Sequence, residues 1–283
     1  MNLFKTAVLL TVLTLLLVVV GQYFGGPRGA LIGFCVAFAI NGISYWFSDK
    51  IVLAMYRAQE VGPDDLPELR GIVEELVARA GLPMPRLYII PSDAPNAFAT
   101  GRNPQNAAVA VTHGALRLLN RDELKGVLGH ELAHVKNRDI LIATVAATVA
   151  GAITLIARLG RFAYIFGGYG GSRSSRDGGG LIGVLIMSIV APIAALIIQL
   201  AISRAREYAA DQKGASFAGS PNGLSNALAK LESAAQHRRI QAAPSTAHLF
   251  IVNPLRGNVV ATLFSTHPPV QKRIARLRKV YGD

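Results

Sequence analysis

Residues 129–134 read GHELAH, an H-E-x-x-H pattern that decides the fold class and points to the chemistry of this chain. On a helix, residues four apart share a face, so His130 and His134 can offer imidazole nitrogens to one metal ion. Glu131 lies beside the first histidine, where it can take a proton from an attacking water molecule. Two surface histidines on a charged helix would give the same sequence pattern, so a metal site needs further evidence from the rest of the chain.

A catalytic metal site normally has a third protein ligand and one open position. The carboxylate candidate is Glu207, within SRAREYAAD at 203–211. Asp211 falls four residues later, on the same face of the predicted helix, and a ligating histidine commonly donates its second ring N–H to such a carboxylate. The sequence therefore predicts a site of two histidines and one glutamate, with Asp211 orienting a histidine. A solvated helix flank is the alternative for both acidic residues.

Long uncharged stretches predict that the chain spans a membrane. Four segments contain no Asp, Glu, Lys or Arg, namely 6–27, 29–48, 140–157 and 178–203. A helix needs about 20 apolar residues to cross the hydrocarbon core. The first two are separated only by GGPRG, so residues 1–48 are predicted as a transmembrane hairpin with spans of about 7–25 and 29–47. A cleaved signal peptide is the alternative for the first span, although a small-residue cleavage site is missing.

The other two apolar segments predict a second transmembrane pair within residues 140–202, with spans of about 140–157 and 181–202. The loop between them, 158–180, contains GGYGGSRSSRDGGG and is typical of a flexible link. Burial inside the protein is the alternative for this pair.

The spans place the two candidate metal-binding motifs at one height. His134 precedes the third apolar segment by about six residues, and Glu207 follows the fourth by about four, which corresponds to roughly 6–9 Å from each membrane end at ~1.5 Å per helical residue. If the third and fourth segments form a hairpin, both ends emerge on the same face. We therefore expect the site to lie just off the bilayer.

Two polar blocks, 49–139 and 203–283, are predicted to form the two parts of one catalytic domain. Short strands are expected at RLYII (86–90), AFAT (97–100) and AAVAVT (107–112), with GRNPQN forming a hairpin link between the last two. Helices are expected over about 64–81, 121–139, 203–218, 223–237 and 268–280.

Composition excludes some classes of function. Hydrophobic residues make up 51% of the chain and charged residues only 16%, which argues against a soluble enzyme. The net charge of +12 comes from scattered Lys and Arg residues without a dense basic cluster, so flanks of membrane spans explain it better than nucleic-acid binding. Cys35 is the only cysteine and lies in an apolar run, so an intrachain disulfide is impossible.

The distribution of basic residues favours a cytoplasmic catalytic domain. With both termini inside, roughly ten Lys and Arg residues would flank the spans on the cytoplasmic side, as the positive-inside rule expects. Five would lie outside, namely Arg28, Arg158, Arg161, Arg173 and Arg176.

Four motifs in order resemble a known family, the HtpX-like membrane zinc metalloproteases, which are relatives of the CAAX prenyl proteases. The motifs are PNAFATG (95–101), GHELAH followed by Asp139, SRAREYAAD (203–211) and THPPVQKRIARL (266–277). Together with the paired apolar segments, the resemblance covers nearly the whole chain. Four available spans fit the HtpX-like branch better than the CAAX prenyl proteases, which carry more.

The resemblance implies a mainly α integral membrane protein of the bacterial cytoplasmic (inner) membrane, with an α+β zincin-like (gluzincin) catalytic domain and a small β-sheet. It implies one zinc ion per chain, with Glu207 as the third ligand. It also implies endopeptidase activity on unfolded or damaged membrane proteins, in quality control and the stress response.

Two further groups of residues are assigned from the motifs. Residues 96–99 (Asn96, Ala97, Phe98 and Ala99) are expected to lie on an edge strand that pairs with an extended substrate, the alternative being an ordinary edge strand. His267, in the THPP turn before a basic helix, is a candidate stabiliser of the tetrahedral oxyanion, the alternative being a simple helix-entry turn.

Two functions from other classes remain as alternatives. A membrane chaperone would bind unfolded segments without cutting them, and casein digestion with and without a chelator separates it from a protease. A transporter would carry charged or polar groups within its spans. The predicted spans here hold only residues such as Asn41 and Gln199.

Overall fold

The structure is a computed structural model and describes residues 2–146, 203–237, 249–252 and 268–282. The fourth predicted span, the loop 158–180 and His267 lie outside these ranges, as does the third predicted span beyond residue 146.

The N-terminal hairpin forms as expected. Helix α1 (Asn2–Met55) is interrupted at Gly26, whose backbone angles (φ 58°, ψ −148°) are not helical. The positive φ suits glycine, and the chain reverses there. The two arms pack with their backbones in contact, because a Cβ on Gly21 would lie only 2.1 Å from the carbonyl oxygen of Gly29.

Both arms of the hairpin are long and apolar enough to cross a membrane. The candidate spans within the described residues are Thr6–Tyr23 and Gly25–Met55. Large apolar side chains point outward from them, with Tyr23 83% and Phe38 73% exposed. Apolar exposure of this kind, together with few buried positions, is typical of a surface that faces lipid.

The second arm is longer than the sequence predicted. It continues past residue 47 to Met55, so the boundary placed after residue 48 falls inside a helix. The reason is packing, since Val52 and Leu53 are buried against the sheet of the next domain. The hairpin therefore reaches directly into the catalytic domain.

That domain contains a small mixed sheet in the order β1-β2-β4-β3. Strands β2 and β4 are parallel, and the other two pairs are antiparallel. The strands are β1 (Gln59–Glu60), β2 (Arg86–Ile90), β3 (Ala97–Gly101) and β4 (Ala107–Thr112). The three strands and the β3–β4 hairpin expected from the sequence are confirmed, and β3 lies at an edge of the described sheet.

The helices expected in the polar blocks are also confirmed, with ends that differ by a few residues. The described ones are α2 (Pro67–Ala80), α3 (His113–Leu118), α4 (Arg121–Lys136), α5 (Arg204–Ala218), α6 (Asn222–His237) and α7 (Val270–Tyr281). Of these, α3 was not expected from the sequence. Helix α4 ends three residues before position 139, because Arg138 takes a left-handed conformation (φ 58°).

The sheet separates two apolar layers. On one face, side chains of α2 and α4 form the main core with Ala97 and Val109. Leu128 and Leu132 of this core are 0% exposed, and truncating either to alanine would cost about 2–5 kcal/mol. On the other face, Phe98 packs against the end of α1.

The start of the third predicted span lies against the hairpin. Residues 140–146 are helical, and their side chains at Leu141 and Val145 pack against Leu13. Thr144 is hydrogen-bonded to Thr100 of β3 (3.0 Å between hydroxyl oxygens), and both side chains are fully buried. The edge strand is thereby attached to the helix that follows the H-E-x-x-H motif.

Candidate metal centre

Helix α4 places His130 and His134 on one face. Its start is fixed by a capping box, in which the Asn120 side chain accepts from the Glu123 N–H and the Glu123 carboxylate accepts from the Asn120 N–H. Such caps stabilise a helix start by about 1 kcal/mol. His130 is buried (1% exposed) and faces the neighbouring helix α5.

Glycines allow α4 and α5 to cross in backbone contact. A Cβ on Gly214 of α5 would lie 2.5 Å from the backbone nitrogen of His130, and one on Gly129 would lie 2.7 Å from the Gly214 carbonyl oxygen. Only glycine fits such a contact. Because the helices approach so closely, Glu207 in the first turn of α5 reaches the histidines of α4.

Three potential ligand atoms converge at this crossing. One atom each from His130, His134 and Glu207 lies within 4.8 Å of the others. The Nε2 atoms of the two histidines are 3.2 Å apart. Glu207 Oε2 lies 3.8 Å from His130 Nε2, and Glu207 Oε1 lies 3.4 Å from His134 Nε2. Tetrahedral zinc with ligands at about 2.0–2.1 Å needs donor atoms roughly 3.3 Å apart, so this donor set fits zinc in both chemistry and spacing.

Asp211 lies where the sequence predicted an orienting carboxylate. The Nδ1 atom of His130 is 2.9 Å from its Oδ1 atom. Arg273 also binds Asp211, because its Nε donates to Oδ2 (2.9 Å) and its Nη2 donates to Oδ1 (2.6 Å). Burial alone would raise the pKa of Asp211, but the Arg273 guanidinium and the His130 contact hold it well below its usual range. Asp211 is therefore an anion that fixes the His130 ring with Nε2 directed at the ligand cluster.

His134 has a matching carboxylate in Asp139. Its Nδ1–H donates to Asp139 Oδ2 at 3.2 Å, and Arg206 Nη1 lies 3.7 Å from Asp139 Oδ1. Burial would lower the pKa of His134, but the hydrogen bond to Asp139 and the charges of Glu207 and Glu131 raise it to about 9. A cation that binds at Nε2 below this pH must therefore displace a proton.

Glu131 lies next to the ligand cluster and is held by the edge strand. Its Oε2 atom accepts a hydrogen bond from the N–H of Ala99 at 2.9 Å, and the side chain is buried (7% exposed). This hydrogen bond fixes one oxygen of the carboxylate.

The structure brings most of the predicted site residues together. The three predicted ligands, Glu131 and Asp211 form one cluster, with Ala99 in contact with it. Asn96 is 3% exposed, and its side chain bonds to the backbone of residues 249 and 251. His267 lies outside the described residues.

Arg273 is the important residue that sequence reasoning missed. It is 0% exposed and touches Asp211, His130 and the backbone of Ile251. It lies in a helix rich in cations, where it resembles its neighbours in composition. A signal was nevertheless present, because Arg273 shares a helical face with Val270 and Leu277, both of which are buried.

A cleft opens beside the cluster, with about 550 Å³ of space when adjoining open solvent is included. The three candidate ligands and Glu131 line it. Apolar residues line it as well, namely Phe98, Ile140, Leu249, Phe250 and Ile251. The cleft therefore combines polar reactive groups with an apolar lining, as many substrate clefts do.

Comparison with known proteins gives consistent matches. Residues 63–281 match peptidase family M48. The chain is 58% identical over 276 residues to the "Protease HtpX homolog" of Desulfatibacillum aliphaticivorans, covering 98% of this chain and 89% of that one. It is 55% identical over 277 residues to the "Protease HtpX homolog" of Thermococcus kodakarensis, covering 98% and 95%.

Among solved structures, a crystal structure of S. mikatae Ste24p covers 93% of this chain with 17% sequence identity and a TM-score of 0.49. The chain spans 61% of that protein's length.

Proposed function

The chain belongs to peptidase family M48, among the HtpX-type metalloendopeptidases, and we propose that it uses one zinc ion to hydrolyse peptide bonds in misfolded or damaged membrane proteins. The observation that carries this proposal is the convergence of His130, His134 and Glu207 beside a buried Glu131. Two apolar N-terminal helices and the kinship with HtpX homologues indicate a membrane protein.

Glu131 is the proposed general base. A zinc ion held by the two histidines and Glu207 would polarise the scissile carbonyl group and acidify water. The hydrogen bond from Ala99 N–H holds the Glu131 carboxylate in one orientation. From there it takes a proton from the attacking water and passes it to the leaving amine.

Strand β3 is the proposed docking edge for the substrate backbone. The N–H of Ala99 points away from β4, because it donates to Glu131. The backbone N–H and C=O groups of successive residues in a strand point in opposite directions. Those of Ala97 therefore point away from β4, as those of Ala99 do, whereas those of Phe98 face β4. An extended peptide paired there would bind through its main chain, which suits substrates of varied sequence.

The position of the site supports membrane-protein substrates. Phe98, next to Ala99, packs on one face of the sheet against Val52 and Leu53 at the end of the second apolar arm. Residues 140–146, which begin six residues after His134, pack against the same hairpin. A chain emerging from the bilayer would therefore meet the cleft within a short distance. His267 remains the proposed oxyanion stabiliser.

We propose the bacterial cytoplasmic membrane as the location, with the catalytic domain in the cytoplasm. The test is accessibility of a single cysteine introduced at Ser174, in a Cys35→Ser background. Labelling by a membrane-impermeant thiol reagent from the outer face supports this orientation. Labelling only from the cytoplasmic side contradicts it.

The Glu131→Gln variant tests the assignment of the base. We expect it to keep its zinc, because Glu131 is not one of the three ligands, and to lose casein hydrolysis by about 10²–10⁴-fold. The matched control is Glu74→Gln, which changes an exposed glutamate on α2 and should leave activity unchanged. Cleavage at the wild-type rate by purified, zinc-loaded Glu131→Gln protein would show that another group acts as the base.

A further inference from the structure

Two buried side chains hold the backbone of the short segment 249–252. The Asn96 side-chain amide donates from Nδ2 to the Leu249 carbonyl oxygen (3.4 Å) and accepts at Oδ1 from the Ile251 N–H (3.2 Å). Arg273 Nη1 donates to the Ile251 carbonyl oxygen at 3.0 Å. Three polar backbone groups of the segment are thus hydrogen-bonded to side chains.

Both of these side chains are withdrawn from water. Asn96 is 3% exposed and Arg273 is 0% exposed. Buried amide and guanidinium groups are tolerated where hydrogen bonds replace those they made to water. Since Asn96 is committed to the backbone of residues 249 and 251, its side chain positions this segment instead of contacting substrate directly.

The segment is connected through these side chains to both halves of the reaction centre. Asn96 immediately precedes β3, whose Ala99 N–H holds Glu131. Arg273 binds Asp211, which contacts the metal-binding His130. A shift of the segment would therefore change the positions of Glu131, the proposed base, and of His130, a proposed ligand.

The residues of the segment line the cleft and connect it to the apolar core, since Leu249 packs with Val52 and Phe98, and Ile251 packs in the core formed by α2 and α4. We call Leu249, Phe250 and Ile251 the apolar wall; all three are less than 10% exposed and line the cleft together with Glu131. The ring of Tyr56, at the end of the hairpin, lies 6.3 Å from that of Phe250 and 5.4 Å from that of Phe98. These ring contacts connect the wall to the end of the hairpin and to β3.

We propose that the apolar wall selects peptides with a bulky apolar side chain next to the scissile bond, and that Asn96 and Arg273 are the positioning residues that hold the wall in place. This proposal rests on the proposed peptidase function. Such side chains are abundant in the membrane proteins that this enzyme is proposed to cut, so the wall would add side-chain preference to main-chain pairing at β3.

The test uses the full zinc-loaded chain in detergent and three fluorogenic peptides that differ only around the scissile bond. One has leucine before the bond, one has leucine after it, and one has alanine on both sides. The wild-type protein should cleave at least one leucine peptide with a kcat/KM about tenfold or more above that of the alanine peptide. Phe250→Ala and Asn96→Ala should bring this ratio close to one while zinc content stays unchanged.

Controls separate selection from a general structural role. Phe250→Leu keeps a bulky apolar side chain and should preserve the ratio, as should Asn106→Ala in the β3–β4 turn. Equal loss on all three peptides in Phe250→Ala and Asn96→Ala, with the ratio intact, would overturn the proposal. Equal wild-type rates on all three peptides would overturn it as well. If the zinc-loaded wild-type protein does not hydrolyse even casein, the proposed peptidase function is wrong, and the proposed selectivity of the apolar wall is then wrong as well.

Discussion

Each of the two candidate metal-binding histidines contacts a carboxylate that is paired with an arginine, but the two pairs differ in burial. His130 contacts Asp211, which forms a bidentate ion pair with Arg273. The side chain of Asp211 is 3% exposed and that of Arg273 is 0% exposed. We call Asp211 and Arg273 the inner pair.

On the other side of the cluster, His134 contacts Asp139, and Arg206 lies 3.7 Å from the same carboxylate. We call Asp139 and Arg206 the outer pair; their side chains are 9% and 15% exposed. Water has more access to the outer pair, and its ionic contact is longer.

The difference in depth determines what each pair can do. A buried ion pair costs much to desolvate and is stable only while both partners are present. The inner pair is therefore part of the fold, and through Arg273 it also fixes the segment 249–252. The outer pair can be partly replaced by water, so its main role is to orient the His134 ring.

The largest effect is expected from Asp211→Asn. This change leaves the Arg273 guanidinium buried without its anion, which should lower the free energy of unfolding by about 3–5 kcal/mol. It also removes the charge that orients His130, so zinc affinity should fall by about 10–100-fold. Thermal unfolding and competition with a zinc chelator measure the two effects. A variant as stable as the wild type would show that the inner pair is dispensable.

The next largest effect is expected from Gly214→Ala, which acts on the helix crossing that brings Glu207 to the two histidines. The new methyl group would lie 2.5 Å from the His130 backbone nitrogen, so α4 and α5 must separate. Overpacking of this kind costs about 1–3 kcal/mol. A shift of Glu207 by about 1 Å would lower casein hydrolysis roughly 100-fold.

Gly71→Ala is the matched control, because a methyl group there meets nothing within 4 Å. It also replaces a helical glycine by alanine and should leave hydrolysis unchanged. Equal activities of the two variants would contradict a tight crossing at Gly214.

A smaller effect is expected from Asp139→Asn in the outer pair. Asparagine can still accept a hydrogen bond from His134, so the change should lower zinc affinity by about tenfold. The free energy of unfolding should fall by less than it does in Asp211→Asn, because the outer pair lies closer to water and its ionic contact is longer. Asp122→Asn, at an exposed position in the first turn of α4, controls for loss of a negative charge. Destabilisation as large as that of Asp211→Asn would remove the distinction between the pairs.

The smallest effect is expected from Arg206→Gln. The Arg206 guanidinium lies 3.7 Å from Asp139 and its side chain is 15% exposed, so its loss should lower stability less than the loss of the buried Asp211 does. Zinc titration and thermal unfolding should both remain close to the wild type. A loss of bound zinc in this variant would show that Arg206 matters as much as Arg273.

Much of the fold could be predicted from local patterns. The strand 107–112 was expected from the turn-rich GRNPQN before it, and the helical form of the H-E-x-x-H motif from the four-residue spacing of its histidines. Glu207 could be proposed because two membrane-proximal motifs must meet at one height. The hairpin turn at Gly26 was indicated by GGPRG.

The rest depends on contacts between distant parts of the chain. Arg273 is 62 residues from Asp211, and Asn96 is 155 residues from Ile251. The local sequence around Arg273 or Asn96 does not predict which distant residue its side chain will contact. The continuation of α1 to Met55 likewise depends on burial of Val52 and Leu53 against a sheet formed later in the chain.

The most direct test of the zinc centre combines metal analysis and casein digestion on detergent-purified protein, for the wild type and for Glu207→Ala. The wild type should carry one zinc per chain, lose hydrolysis when a chelator removes the metal and regain it when zinc returns. Glu207→Ala should lose most of its zinc and its activity, because one of the three convergent ligands is gone. Full zinc content in Glu207→Ala, or hydrolysis that persists in metal-free wild-type protein, would contradict the assignment.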